Sequence, residues 1–209
     1  RVLTASLYGN QSDAVGGGGL NVYSLALSAG HMDLQTPAVR SMDTLTARSD
    51  GQYNKLAFSL ARLQNVTDSV SFYASVNGQI ASKNLDASEK MELGGMYAVR
   101  AYPEGEAYAD QGYVLTLEGR MLLPRFSERQ SGQFQLIAFV DTGTVTTNKQ
   151  PWAAGSNRRT LSGAGVGLNW TVPNDWVVKA YYAHKLGNGM ATSAPDASGR
   201  FWIQAVKYF

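Results

Sequence analysis

From residue 70 to residue 80 the chain alternates: Val70, Phe72, Ala74, Val76 and Ile80 fall on one face, and Ser71, Tyr73, Ser75, Asn77 and Gln79 on the other. A period of two is the mark of a strand with one apolar and one polar face. The pattern returns at 20–30, where Tyr23, Leu25, Leu27 and Ala29 oppose Val22, Ser24, Ala26 and Ser28. Leu56, Phe58 and Leu60 share a face opposite Lys55 and Ser59. Tyr113, Leu115, Leu117, Met121 and Leu123 oppose Thr116, Glu118 and Arg120 before Pro124 ends the run. Phe134, Leu136, Ala138 and Val140 oppose Gln135, Phe139 and Asp141. Ala164, Val166, Leu168, Trp170 and Val172 oppose three glycines, Asn169 and Thr171, and Trp176, Val178, Ala180 and Tyr182 oppose Lys179 and Tyr181. A weaker alternation at 2–8 and a terminal run at about 200–209 bring the expected strands to nine.

The connections divide into two kinds. Those near residues 66, 130 and 174 are short, whereas those near 40, 97, 152 and 192 are long and polar. Short turns at one end and long loops at the other are the pattern of an outer-membrane barrel. A soluble sandwich needs Greek-key crossings and mixed loop lengths. The expectation is therefore an all-β, antiparallel transmembrane β-barrel. The segment at 31–51 is polar, is broken by Pro37 and reads as loop, so little helix is expected. Mean hydropathy is slightly negative and no run approaches the roughly 18 apolar residues of a membrane helix, but alternating strands keep average hydropathy low. Bacterial single-chain barrels have even strand numbers. An odd count, and a start at Arg1 directly in a strand-like run, lead us to expect the C-terminal part of a longer precursor.

The connection at about 83–112 is the longest and is not built like a solvated linker. Tyr97, Tyr102, Pro103 and Tyr108 stand among glycines with a lone arginine, Arg100, and several acids. Long loops without regular structure are usually functional or disordered. Val99-Arg100-Ala101-Tyr102, followed by Pro103-Glu104-Gly105-Glu106 and Asp110-Gln111-Gly112, resembles the V-R-G-Y loop of two-partner secretion transporters. These are the haemolysin and adhesin secretion proteins of the Gram-negative outer membrane. Phe139-Val140-Asp141-Thr142-Gly143 resembles the second motif of that family, F-x-D-x-G. Ala101 stands where the family usually has glycine, and a positive φ there would strain an alanine.

The resemblance implies a barrel of roughly sixteen strands, of which residues 1–209 supply the last nine, with the motif loop folded into the lumen. It implies an Arg100–Asp141 pair pinning that loop to the wall, with Val99, Tyr102, Phe139 and Gly143 as its motif neighbours. Without the resemblance, Arg100 is an ordinary solvated loop charge and Asp141 ends a strand. The implied function is an outer-membrane pore that passes a large unfolded exoprotein outward without a cofactor. Its partners would be that exoprotein, the outer-membrane lipid and the barrel assembly machinery. Phe209 resembles the terminal residue that this machinery reads, although Lys207 replaces a more usual aromatic. Alternatives are an assembly insertase of the same superfamily, a rim-site hydrolase and a passive porin.

Other features are weaker. Gly163, Gly165 and Gly167 all face the polar side of one strand, where missing side chains either admit the folded-in loop or mark a bend. The glycine run at 16–19 reads as a flexible turn, with no lysine and hydroxyl residue following as a phosphate loop requires. Glu104, Glu106 and Asp110 are not spaced as a calcium loop and read as polar anchors of the loop. His31 and His184 belong to no Ser-His-Asp arrangement, so no catalytic residue is assigned. The absence of cysteine removes thiolate metal sites, and no metal is expected. A formal charge of +2 is too small to suggest nucleic acid. Trp152, Trp170, Trp176 and Trp202 read as girdles at the membrane interfaces.

Overall fold

The computed structural model describes residues 1–209. Nine strands form a single antiparallel meander in which each pairs with its sequence neighbours. They are β1 (Val2–Asp13), β2 (Gly19–Met32), β3 (Gly51–Asn65), β4 (Val70–Ala81), β5 (Gln111–Leu122), β6 (Gln133–Thr146), β7 (Arg158–Val172), β8 (Trp176–Lys185) and β9 (Gly199–Lys207). β1 and β9 are the two free edges. The connections at 14–18, 66–69, 123–132 and 173–175 lie at one end of the sheet. Those at 33–50, 82–110, 147–157 and 186–198 lie at the other.

Register follows the alternation. Leu117 pairs with Val140 across β5 and β6, and Val140 with Ala164 across β6 and β7. The apolar partners thus stay on one face, because a slip of one residue would turn them all over. That face has no protein against it: Phe72, Val166 and Ile203 are 57%, 55% and 69% exposed. A sheet whose large apolar residues point away from the protein is built for lipid, and the same residues in water would form an aggregation surface. The opposite face carries Asn77, Glu118, Arg120, Asn169 and Lys179, all lining one cavity.

The core is the contact between the 82–110 loop and the polar-side wall. Leu93, Met96, Val99, Ala101, Tyr102 and Ala109 of the loop cluster with Val114 of β5, Ile137, Phe139 and Val145 of β6, Leu161 of β7, and Tyr181 and Ala183 of β8. Burial of this loop supplies the hydrophobic stabilisation that a barrel otherwise draws from lipid.

Three local readings change. The polar segment holds a helix, α1 (Pro37–Leu45), with Pro37 in its first turn. Proline there is pre-set for the helix and its missing N–H costs nothing, so it starts this helix. The Asp43 carboxylate then accepts from the backbone N–H and hydroxyl of Ser49 and the N–H of Asp50, at 2.7–3.0 Å. The glycine turn is pinned: the Gln64 amide donates to the Val15, Gly16 and Gly18 carbonyls. Finally, Trp202 is no girdle residue. It faces the polar side, and its indole N–H donates to the Arg100 carbonyl at 2.7 Å. Phe209 lies exposed beyond the end of β9.

Candidate functional site: the folded-in loop and its anchors

The loop returns on itself before it meets the wall. Met91 and Ala109 exchange backbone hydrogen bonds at 3.0 and 2.8 Å, and Gly95 donates to the Tyr102 carbonyl at 3.1 Å. Gly94 makes this fold possible, since a Cβ there would overlap the Pro103 carbonyl and the Glu106 side chain. The tip so formed presents Arg100 to the sheet.

Arg100 is 4% exposed and Asp141 fully buried. Nε and Nη2 of Arg100 donate to the two carboxylate oxygens of Asp141, each at 2.8 Å, and the Arg100 backbone N–H donates to Oδ2 at 3.2 Å. This is a two-toothed fork that fixes position and orientation together. The third terminal nitrogen, Nη1, reaches Glu118 Oε1 on β5 at 2.8 Å. Glu118 in turn pairs with Arg120 at 2.7 Å, so charges alternate from Asp141 through Arg100 and Glu118 to Arg120. Thr116 Oγ1 donates to Asp141 Oδ1 at 3.0 Å. Phe139 lies under the guanidinium, 3.4 Å from ring centre to carbon, and the Tyr181 ring stands 5.3 Å away. A planar cation stacked on aromatic faces is an arrangement that arginine suits and lysine does not. Beside it opens a cavity of about 490 Å³ whose walls include Tyr73, Asn77, Tyr97, Arg120, Asn169 and Lys179.

The other motif residues divide by what they touch. Val99 is fully buried in the loop–wall core. Tyr102 packs there as well, and its hydroxyl donates to the Gly189 carbonyl at 2.9 Å. Glycine at 143 leaves room for Leu93 of the loop. The three β7 glycines do not act alike. A Cβ at Gly163 would overlap the Ala101 methyl, so this position admits the loop itself. At Gly165 it would meet Phe139, and at Gly167 Tyr181. Those two glycines therefore seat the rings that flank Arg100. Ala101 is not among the residues of positive φ, so its methyl costs no backbone strain and is accommodated opposite Gly163. It follows that Gly163→Ala should destabilise the loop contact by about 1–3 kcal/mol through overpacking. Adding Ala101→Gly should restore it, read as protease resistance of the loop. An effect that Ala101→Gly fails to relieve would refute the assigned contact.

Two further anchors hold the loop's second half. Glu106 is fully buried and ion-paired with Arg159 of β7. Its carboxylate also accepts from the backbone N–H groups of Thr192 and Ser193 at 2.8 and 2.9 Å, and from both their hydroxyls. Burial alone would raise its pKa, but these donors outweigh it and hold the group at about 2. With the folded value depressed, this clamp is fully present above the ordinary carboxylate range and is lost only as pH falls toward 2. Asp110, also fully buried, accepts from the backbone N–H groups of Leu85 and Lys149 at 3.0 and 2.7 Å and pairs with Lys90 at 3.0 Å. Glu104 is exposed and anchors nothing through its side chain. The anchoring role of Glu106 is legible in the sequence, but its partners Thr192 and Ser193, and the part played by Glu118, are not. The only sequence sign of Glu118 is its place on a polar strand face.

Comparison with known proteins agrees with this architecture. Residues 10–170 match the profile of the family described as haemolysin secretion/activation protein ShlB/FhaC/HecB. The heme/hemopexin transporter protein HuxB of Haemophilus influenzae (strain 86-028NP) is 27% identical over 194 residues, covering 91% of this chain and 33% of that protein. The outer membrane transporter CdiB of Dickeya dadantii (strain 3937) is 29% identical over 126 residues, 60% of this chain and 21% of the relative. Among solved structures, CdiB from Escherichia coli superposes with a TM-score of 0.72 at 20% identity, over 99% of this chain and 37% of that one. The chain thus spans about a third of the length of HuxB. With both motifs in place and the profile matched over most of its length, the chain belongs to the family described as haemolysin secretion/activation protein ShlB/FhaC/HecB.

Proposed function

We propose that residues 1–209 form the C-terminal lumen wall and motif loop of a two-partner secretion pore. In this reading a large unfolded exoprotein, of the haemolysin or adhesin type, moves outward along the polar face. The observation that carries it is the buried Arg100 fork, which holds a long loop against the inside of a sheet whose outside is apolar. Further strands of the whole protein close the sheet between β9 and β1, since lipid tolerates no free edge. The long connections face the exterior and the short turns the periplasm, as in other barrels of this kind.

The polar cavity beside the fork offers an extended chain hydrogen-bonding and aromatic partners without a deep binding pocket, which suits transit more than retention. No nucleotide, metal or other cofactor takes part in the proposal. The alternative on the same fold is an insertase of other barrels, and the cargo distinguishes the two activities. A photo-crosslinking side chain at Lys179, which faces the cavity, should capture exoprotein in transit through the full-length transporter. The same group at the neighbouring outward position Val178 should capture none. Equal capture at both, or capture of nascent barrels alone, would overturn the secretion reading.

A further inference from the structure

The outward face is not apolar throughout. At the long-loop end of β5, β6 and β7 it turns to hydroxyls and cations. Gln111, Thr146 and Arg158 form one cross-strand row, and Tyr113, Thr144 and Thr160 the next. These positions share the parity of Leu115, Leu117, Val140 and Val166, so they belong to the lipid-side face. Thr144 and Thr160 join hydroxyls at 2.8 Å, and Thr142 and Ser162 do so at 2.7 Å one row below. Beyond the top row, Lys149 Nζ donates to the Gln111 side-chain carbonyl at 2.9 Å, which carries a second cation to this edge.

Arg158 and Lys149 are both exposed, and neither takes part in an ion pair of the chain. Asp110 accepts from the Lys149 backbone N–H but is fully buried and ion-paired with Lys90. The patch therefore presents positive charge with no protein counter-ion, directly above paired hydroxyls. Such a surface gains nothing from hydrocarbon, where polar groups lose their partners. It is also more than the aromatic border that ordinarily closes the apolar band of a barrel.

We infer that this patch binds the phosphorylated sugar headgroup of a glycolipid in the outer leaflet. The guanidinium of Arg158 can grip a phosphate with two parallel hydrogen bonds, and the Lys149 ammonium adds a second point charge. The Thr and Ser hydroxyls, each both donor and acceptor, match the alcohols of a sugar. The acyl chains then run down the face over Leu115, Val140 and Val166. The leaflet assignment rests on the exterior placing of the long connections proposed above, whereas the headgroup chemistry does not.

The test uses the full-length transporter in detergent and native mass spectrometry. The probes are diphosphorylated lipid A, its dephosphorylated form and phosphatidylglycerol. Retention of the diphosphorylated glycolipid above both others is expected. Arg158→Ala with Lys149→Ala should weaken it by roughly twenty-five-fold, at about fivefold for each cation. Thr144→Val with Thr160→Val, which keeps shape and removes the hydroxyls, should weaken it by about threefold or more. Each variant is first checked for a folded barrel by its heat-dependent gel mobility. Folded double-alanine protein that retains the glycolipid like wild type would overturn the inference, as would equal retention of phosphatidylglycerol. Ser156→Cys in the 147–157 connection, probed on intact cells with a membrane-impermeant maleimide, separates the two readings. Failure to label from outside would overturn the orientation and with it the leaflet, independently of headgroup binding.

Discussion

Replacing Arg100 by alanine in the full-length transporter is expected to abolish most secretion while leaving assembly in the outer membrane largely intact. The substitution strands one buried carboxylate and weakens the pairing of a second. Asp141 loses its fork and Glu118 loses one of two cations, keeping only Arg120. Breaking such a pair on one side costs up to about 3–5 kcal/mol when desolvation is complete, and the adjoining cavity lowers that figure by letting water in. The sheet survives because its strands are held by their own ladders and by lipid. Asp141→Ala should act in the same direction and less severely, since Glu118 still balances the guanidinium. Groups that act as a unit are non-additive, so the double variant should be little worse than Arg100→Ala. Arg100→Lys should not rescue fully, because a point charge cannot make the fork, reach Glu118 and stack on Phe139 together. Exoprotein in the culture medium, normalised to folded transporter, is the measurement. Full secretion by Arg100→Ala at normal transporter levels would remove the functional role of the pair.

The second large effect concerns the two faces. Leu117 points outward, half exposed on the lipid side, and Leu117→Arg should cost about 2–4 kcal/mol near the bilayer midplane. The adjacent inward residue Thr116 is not a fair control, because its hydroxyl belongs to the Asp141 network. Asn77 is, since it borders the open cavity. Asn77→Arg should therefore cost far less, as a charge in a watered lumen keeps its hydration. Equilibrium unfolding of the full-length barrel from lipid vesicles measures both. Equal destabilisation would contradict the assigned faces of β4 and β5.

Much of this could be read along the chain. Strand count, the face that each of Phe72, Leu117, Leu136 and Val178 takes, and the division into short and long connections all follow from a period of two residues. That period is local, and on the outward face of the wall no second protein layer packs to override it. The loop motif and the F-x-D-x-G motif likewise single out Arg100 and Asp141.

What needed the tertiary structure was every choice made across distance. An acid on a polar strand face is equally suited to water, and only the register of β5 against β6 puts Glu118 beside the Arg100 fork. Trp202 has the composition of a girdle residue, yet its parity along β9 turns it inward to the Arg100 carbonyl. The glycines at 163, 165 and 167 look alike in the chain, but one faces the Ala101 methyl and the others face rings. Pro37 reads as a breaker until the first turn of α1 is built around it. Glu106 finds Thr192 and Ser193 only because the loop folds back toward the β8–β9 connection. The sequence alone determined which residues alternate and which motifs are present. The path of the folded-in loop decided which buried charges meet, because electrostatic pairing depends on separation in space, and no local period encodes it.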